Sequence, residues 1–347
     1  MSNKKIYAVS GSWPPEICGV GDYMNNLVED LLSKSISVER ITLKKYSIIA
    51  MIKLIIYIRL NKDCYVFVSY PTEGYGRSVL PFFVSLVGSN KLIVHIHEYS
   101  SKNEACKFLL RTFKKARKLI FSNQNDLDKY RNDVYLTETY VDNWLVAPTP
   151  SNIVPQYVNQ HDRLVPNLIH FGQIRPNKGL ELILELYEMI KLKGEIKINL
   201  KLIGGIPKGY EKYASQLVDK FLKLGVDVKT NLSFESISGE MSNADFGVFV
   251  FPDGVDERRG SVIAALSHDV ICFTNFAIRT PDTLKAVTVG VAESSGEYMI
   301  PALYERIFLT VADIERIKSD MIPRIRGYVD DKTFSTISTI VIHELGL

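Results

Sequence analysis

The sequence predicts two doubly wound α/β domains, each a largely parallel sheet with helices on both faces. The chain has 347 residues, which suits two domains of ordinary size. Short apolar runs alternate with stretches of helical periodicity, as in the β-α units of a parallel sheet. This alternation stops at a proline-containing stretch over 147–166 and then restarts. The second half therefore repeats the pattern of the first, with an interdomain linker between them.

Each predicted domain contains four strands. In the first, the strand over 5–10 leads through a glycine-bearing loop into a helix. In the second, helices begin at Leu180 and near Gly260. We place the domains at 1–160 and 161–325, and predict that a C-terminal helix over 326–347 packs back on the first. The other strands are predicted at 64–69, 91–97 and 118–122, then at 168–171, 197–203, 246–251 and 270–274.

Composition excludes several classes of protein. Apolar residues make up 46% and charged residues 23%, as in folded globular domains. A net charge of +3 is too small for a nucleic-acid-binding surface, so no nucleic-acid partner is expected. The four cysteines are scattered without zinc-site spacing, which indicates a reducing, cytoplasmic compartment. The N-terminus lacks a signal-peptide pattern, and the most apolar stretch, 47–60, is shorter than a membrane span and predicts a buried or interfacial helix.

Ligands of open parallel sheets bind beyond the carboxyl ends of the strands, so the loops after strands hold the candidate residues. In the first such loop, 11–22, Gly19 and Gly21 precede a helix and would let backbone amides approach an anion. A plain strand-to-helix turn is the alternative, because the full dinucleotide fingerprint is missing. His97 ends the strand over 91–97 and would face a ligand, or would be a buried, hydrogen-bonded histidine.

Two loops of the second domain carry charged residues just before a helix. In 172–179 (GQIRPNKG), Arg175 and Lys178 precede a helix and predict a diphosphate clamp, the alternative being a solvated basic turn. In 252–266, acidic residues precede two arginines and Gly260-Ser261 at a helix start. Acidic residues at a helix start are ordinary dipole partners, whereas two arginines there oppose the dipole and indicate an anion.

Together these loops resemble the retaining glycosyltransferases of family 4, which have the GT-B fold of two Rossmann-like domains facing each other across a cleft. The resemblance covers nearly the whole chain. Its most specific motif is 171–180, from Phe171-Gly172 to Lys178-Gly179-Leu180. Supporting matches lie at Pro14-Pro15 with Gly19-Val-Gly21, at His97-Glu98, and over 70–76 and 202–205.

The resemblance implies transfer of a sugar from a nucleotide-diphosphate donor of the UDP or GDP type to an acceptor. The acceptor is either a free saccharide or a lipid-linked one. It further implies retention at the anomeric carbon and a place in cell-surface polysaccharide biosynthesis. No cofactor and no metal are expected, because cations and helix ends would neutralise the departing diphosphate. The implied catalytic residues are His97, Asp256 and Glu257; the donor diphosphate would be bound by Gly19, Gly21, Arg175, Lys178, Arg259, Gly260 and Ser261; Tyr70 and Glu98 would lie on the acceptor side.

One departure keeps other functions open. The family carries two glutamates seven residues apart, and here Asp256 or Glu257 at the first place leaves Ala264 or Ala265 at the second. The chain could therefore be a catalytically degenerate GT-B scaffold that binds sugars or proteins. A GT-B epimerase or phosphorylase, or a dinucleotide-dependent oxidoreductase, fits less well, the last because neither half has a complete glycine fingerprint.

Residues 105–121 mix apolar and basic side chains and predict a basic amphipathic helix. Such a helix settles on anionic bilayers, so we expect a cytoplasmic protein held on the inner face of the cell membrane. A solvated surface helix is the alternative interpretation.

Overall fold

The computed structural model describes residues 4–16, 18–43, 48–76, 78–134, 143–156, 165–292 and 296–347. The chain divides into two compact units. The first comprises Met1–Asn152 and Lys332–Leu347, and the second comprises Ile153–Asp331. Part of the predicted linker, 157–164, lies outside the described residues.

The first unit contains a six-stranded parallel sheet with the strand order β2-β1-β3-β4-β5-β6. Its inner strands are almost wholly buried, as expected when helices cover both faces. The strand order reverses between β1 and β3, which makes the carboxyl ends of these two strands the place where such sheets bind ligands. The strands are β1 (Lys5–Ser10), β2 (Ser37–Thr42), β3 (Cys64–Tyr70), β4 (Leu92–Ile96), β5 (Lys118–Phe121) and β6 (Trp144–Val146).

Helices cover both faces of this sheet. On one face α1 buries Met24, Leu27 and Leu31 at helical spacing, and α12 returns from the end of the chain to pack against α1. On the other face α2, α4 and a 3₁₀ segment at Leu80–Val87 enclose a second core. The helices are α1 (Gly19–Ser33), α2 (Ile48–Leu60), α3 (Glu104–Leu110), α4 (Gln124–Val134) and α12 (Phe334–Leu345).

The second unit has a parallel sheet of six strands in the order β12-β11-β10-β7-β8-β9. Here the order reverses between β7 and β10, so this pair marks the second ligand-binding edge. The strands are β7 (Asn167–Phe171), β8 (Asn199–Gly204), β9 (Asp227–Thr230), β10 (Phe246–Phe249), β11 (Ile271–Phe276) and β12 (Val289–Ala292). The helices are α5 (Leu180–Lys193), α6 (Glu211–Lys223), α7 (Phe234–Ser242), α8 (Gly260–Ser267), α9 (Asp282–Lys285), α10 (Gly296–Ala312) and α11 (Ile314–Val329).

The predicted fold class is confirmed, whereas some elements differ from the prediction. The four edge strands β2, β6, β9 and β12 were not predicted. Strands β2 and β9 are polar and largely exposed and so lack an apolar signal, whereas β6 and β12 are only three and four residues long. The single helix predicted over 105–121 is wrong. Helix α3 ends at Leu110, a 3₁₀ turn follows at Arg111–Lys115, and Ala116 is extended. The apolar residues after this turn form strand β5, which pairs with β4 and β6.

Candidate functional site

The loop that carries Arg175 and Lys178 lies at the point of strand reversal in the second unit. It follows β7 and ends at Gly179, whose positive φ of 72° favours glycine. A Cβ atom on Gly179 would come 2.2 Å from the carbonyl oxygen of Val250, the residue after β10. The close approach of these two backbones means that the loops after β7 and β10 meet.

The beginning of the same loop is fixed by the end of β8. The amide of Gly172 donates to the carbonyl of Ile203 at 3.0 Å, and that of Ile174 donates to Gly205 at 2.9 Å. A Cβ atom on Gly204 would lie 2.1 Å from the Gly172 oxygen, so only glycine fits there. The two basic side chains therefore stand on a loop fixed at both ends.

Arg175 and Lys178 are both half-buried. The guanidinium of Arg175 donates through Nε to the side-chain oxygen of Gln173 at 2.8 Å, and among the described residues its two Nη groups have no hydrogen-bond partner. The pKa of the His170 imidazole in β7 is lowered mainly by burial and further by the charge of Lys178. The loop thus concentrates positive charge at the carboxyl end of β7.

The loop after β10 contains its own counterions. Arg258 donates through its backbone amide to Asp256 at 2.9 Å and through Nε to both oxygens of the same carboxylate. Arg259 pairs with Asp253 and lies 4.4 Å above the ring of Phe251. The two arginines were predicted to indicate a bound anion. Two aspartates of the same loop already neutralise them without a ligand.

Asp256 and Glu257 differ in their surroundings. Asp256 is engaged by Arg258 with both carboxylate oxygens, so it could serve as a base only after that pair separates. Glu257 lies toward α11, near enough to Tyr328 for its charge to add to the burial that raises the pKa of the phenol. Their catalytic roles remain predictions.

Helices α5 and α8 begin at this edge without a side-chain cap. Their N-cap positions are occupied by Gly179, which has no side chain, and by Arg259, whose guanidinium has no acceptor atom. By contrast, α7 in the same unit is capped by Ser233. First-turn amides without a capping side chain attract anions, and the predicted residues Gly260 and Ser261 belong to the first turn of α8, where the Gly260 amide already donates to the carbonyl of Arg258 at 3.0 Å.

His170 is a buried group of this edge that the sequence did not reveal. Its Nδ1 donates to the carbonyl of Val248 at 2.8 Å, and among the described residues Nε2 has no hydrogen-bond partner. Burial lowers the pKa of His170 to about 4, so the ring is neutral at pH 7. Nε2 lies under Gly172, where a Cβ atom would be 3.3 Å away.

In the first unit, the loops after β1 and β3 are joined at the strand reversal. The amide of Gly11 donates to Oγ1 of Thr72 at 3.0 Å, and the amide of Gly74 donates to Oγ of Ser12 at 2.7 Å. The Sγ atom of Cys18 accepts from the amides of Gly21 and Glu73, at 3.3 Å each, and caps α1. The motifs at 11–22 and 70–76 therefore form one structure.

Gly19 and Gly21 lie in the first turn of α1, and not in the loop before the helix as predicted. Gly21 packs against Ser12, whose carbonyl oxygen would lie 2.8 Å from an added Cβ, whereas Gly19 faces open space. The Gly21 amide is already used by Cys18. Next to it, burial raises the pKa of Asp22 to about 6.

His97 belongs to a buried chain of hydrogen bonds. Its Nδ1 lies 3.3 Å from Oγ of Ser122, and its Nε2 lies 3.4 Å from Oγ of Ser69. Ser122 also contacts Nε2 of His95 at 3.1 Å, and Nδ1 of His95 contacts the Tyr23 hydroxyl at 2.9 Å. The two imidazoles stack with centroids 4.0 Å apart. Burial lowers the pKa of His97 to about 4, so its ring is neutral.

His95, Tyr23 and the two serines lie outside the motifs that predicted the site. A usable signal was present, because His95 and His97 are two residues apart at the end of one strand and so share a face. Neighbouring strands supply the serines, one in β3 and one directly after β5.

The two predicted acceptor-side residues lie in different environments. Tyr70 is buried in the core against Phe82, with its hydroxyl 3.2 Å from Sγ of Cys106. Glu98 is exposed and pairs with Lys102 at 2.8 Å. A role for either in binding an acceptor stays a prediction.

Within the described ranges, no group of three His, Cys, Asp or Glu side chains could hold a metal ion. No helix there is long and apolar enough to cross a membrane.

No family model matches the sequence, and no curated protein is detectably similar to it. Solved structures are similar in fold. They include a glycosyltransferase from Rickettsia africae (TM-score 0.69, 12% identity, covering 99% of this chain and 98% of that one). HepE from Anabaena, in complex with UDP and glucose, has a TM-score of 0.70 at 12% identity, and the match covers 99% of this chain and 100% of HepE. Sucrose-phosphate synthase from Thermosynechococcus elongatus has a TM-score of 0.69 at 12% identity and covers 98% of each chain.

The chain has the GT-B fold. At 12% identity this likeness concerns the fold alone. The chemistry of a GT-B protein depends on the residues of its own site.

Proposed function

We propose that this chain is a glycosyltransferase that moves a sugar from a nucleotide-diphosphate donor to a saccharide acceptor, with retention at the anomeric carbon. The proposal rests on the arrangement of loops and helix starts at the ligand-binding edge of the second sheet. There the loop with Arg175 and Lys178 meets the loop after β10, and α5 and α8 begin without side-chain caps.

This arrangement suits a diphosphate for electrostatic reasons. When the bond between the sugar and the donor phosphate breaks, negative charge grows on the departing diphosphate. Two cations on a fixed loop and the amides of two helix starts would stabilise that charge without a metal ion. The UDP and glucose bound in HepE, a protein of the same fold, support this class of donor.

The first unit supplies the remaining predicted groups. A neutral His97 held by two serines would act as a hydrogen-bonding partner of the sugar and not as a cation. We assign the acceptor to this unit and place the reaction in cell-surface polysaccharide biosynthesis, following the motif resemblance.

A degenerate GT-B scaffold is the second candidate, and one observation favours it. Ala264 and Ala265, at the places where the family's second glutamate would stand, are both buried in α8. No carboxylate is therefore available at that position for the ribose of a nucleotide.

Thermal unfolding with UDP, GDP, ADP and their sugars tests the proposal, and release of nucleotide diphosphate tests turnover. A bound nucleotide at a hundredfold excess over its Kd adds about 2.7 kcal/mol to stability. We expect a response to one nucleotide, lost in an R175A/K178A variant and kept in K220A/K223A, which removes two exposed lysines of α6. Binding without turnover of any sugar would favour the scaffold, and no binding at all would contradict the proposed donor site.

A further inference from the structure

Helix α2 carries apolar side chains on two opposite sides. Met51, Leu54 and Ile58 are buried and face the sheet. Ile49, Ile52, Ile56 and Leu60, at spacings of three and four residues, form a second stripe on the opposite side. A surface helix of a globular protein normally presents polar residues there.

A neighbouring segment extends this second stripe. The 3₁₀ segment Leu80–Val87 packs against α2 and buries Phe82 in the same core, while Phe83 and Leu86 face outward. We call Ile49, Ile52, Ile56, Leu60, Phe83 and Leu86 the apolar patch; each exposes between 47% and 78% of its surface. Exposed apolar side chains gathered on two elements that pack together mark a binding surface.

The apolar patch belongs to the folded structure and not to a frayed end. The ammonium group of Lys91 donates to the carbonyl of Ile58 at 2.6 Å and also binds the carbonyl of Asn61. The side-chain amide of Asn61 donates to the carbonyl of Tyr57 at 2.7 Å. These bonds close the C-terminal end of α2, so the helix holds its outer stripe in place.

The charged side chains of helix α2 have one sign. Helix α2 contains no acidic residue, and its two charged side chains, Lys53 and Arg59, are exposed and flank the stripe on either side. In the core beneath, Phe82 contacts Phe113 of the basic turn Arg111–Lys115, with ring centroids 5.8 Å apart.

We propose that the apolar patch docks this protein on an anionic lipid bilayer, with α2 lying along the interface and Lys53 and Arg59 on lipid phosphates. A helix of 13 residues spans about 20 Å, too short to cross a hydrocarbon core of about 30 Å. A second copy of the chain would place like charges against like, whereas an anionic surface complements them. This surface replaces the helix predicted over 105–121, and it is independent of the proposed sugar transfer.

Sedimentation of the full chain with vesicles tests the proposal. The vesicles contain equal parts of phosphatidylcholine and phosphatidylglycerol, or phosphatidylcholine alone. We expect the wild-type protein to sediment with the anionic vesicles, and an I52E/I56E variant to bind at least tenfold more weakly. K53Q and R59Q should each weaken binding about fivefold, from about 1 kcal/mol per charge.

The control is L192E/L222E, which changes two exposed leucines on helices of the second unit. It should bind vesicles like the wild type, and the thermal unfolding of both double variants shows whether each is folded. A wild-type protein that ignores anionic vesicles, or an equally bound I52E/I56E, overturns the proposal. A wild-type dimer that I52E/I56E converts to monomer, without vesicle binding, would assign the patch to a second copy instead.

Discussion

The hydroxyl of Tyr23 in α1 lies 2.9 Å from Nδ1 of His95 in β4, and both residues are buried. Among the residues that the structure describes, this is the only hydrogen bond of the phenol. Burial raises the pKa of Tyr23, so the phenol keeps its proton, and we infer that it donates this proton to Nδ1 of His95. In this direction His95 donates from Nε2 to Ser122, and Ser122 donates to Nδ1 of His97.

The first prediction concerns the tautomer of His97. The direction of this chain leaves the proton of His97 on Nε2, where it points to Ser69. Nitrogen NMR of histidine-labelled protein should show Nε2–H for His97. In Y23F this series of hydrogen bonds loses its first donor, and a population of His97 with the proton on Nδ1 should appear. The free energy of unfolding should fall by about 1 kcal/mol. An Nδ1–H tautomer in the wild-type protein would contradict the assigned direction.

The second prediction concerns the clamp on the loop at 172–179. Each charge-assisted hydrogen bond to a phosphate is worth about 1.5–3 kcal/mol, so R175A and K178A should each weaken nucleotide binding about tenfold or more. Titration calorimetry with the nucleotide that stabilises the wild-type protein measures this. Equal affinity in R175A and wild type would remove Arg175 from the donor site.

The third prediction separates Arg259 from its own counterion. In the free protein Arg259 pairs with Asp253, whose carboxylate is largely exposed. If Arg259 binds the donor, D253N should tighten nucleotide binding, because the guanidinium no longer exchanges a carboxylate for a phosphate. D282N, which breaks the exposed pair with Lys285, is the matched control. Unchanged affinity in D253N would place Arg259 outside the site.

The fourth prediction concerns backbone contact between the loops after β7 and β10. Gly179 and Gly194 both have positive φ, but only Gly179 faces another backbone closely, at Val250. G194A should cost about 1 kcal/mol of stability from φ strain alone. G179A should cost more than G194A and should also weaken nucleotide binding. Denaturant unfolding and calorimetry of the pair test this, and equal losses of stability would show that the close approach is not maintained.

The fifth prediction concerns acid. Burial lowers the pKa of His170 to about 4, below its ordinary value of 6.5. Between these values the unfolded chain binds more protons, so stability falls as pH is lowered through this window. At pH 5 the loss from His170 alone is about 2 kcal/mol.

Asp22 works in the opposite direction, because its raised pKa of about 6 means that the folded state binds the extra proton between pH 4 and 6. Comparing variants at pH 7 and pH 5 isolates the histidine. The change in unfolding free energy should be smaller in H170Q than in the wild-type protein and unaltered in H343Q, which changes an exposed histidine. An equal change in H170Q would show that His170 is not held neutral by burial.

The sequence by itself determined the doubly wound fold and the loops that matter. Apolar strands such as 246–249 and helices of regular period specify a parallel sheet locally, and ligands of such sheets bind beyond the strands' carboxyl ends. For the same reason the motif around Arg175 and Lys178 could be found without coordinates, because its glycines and charges are consecutive in the chain.

Only the tertiary structure decided which of these groups are already engaged. Asp253 with Arg259, Tyr23 with His95, and His97 with Ser69 are pairs whose partners lie on different turns or strands. Local periodicity carries no information on such pairs, because strand order and loop packing bring them together. The apolar patch has the same origin: the sequence predicted a buried or interfacial helix over 47–60, and only the packing of α2 shows which of its sides is left uncovered.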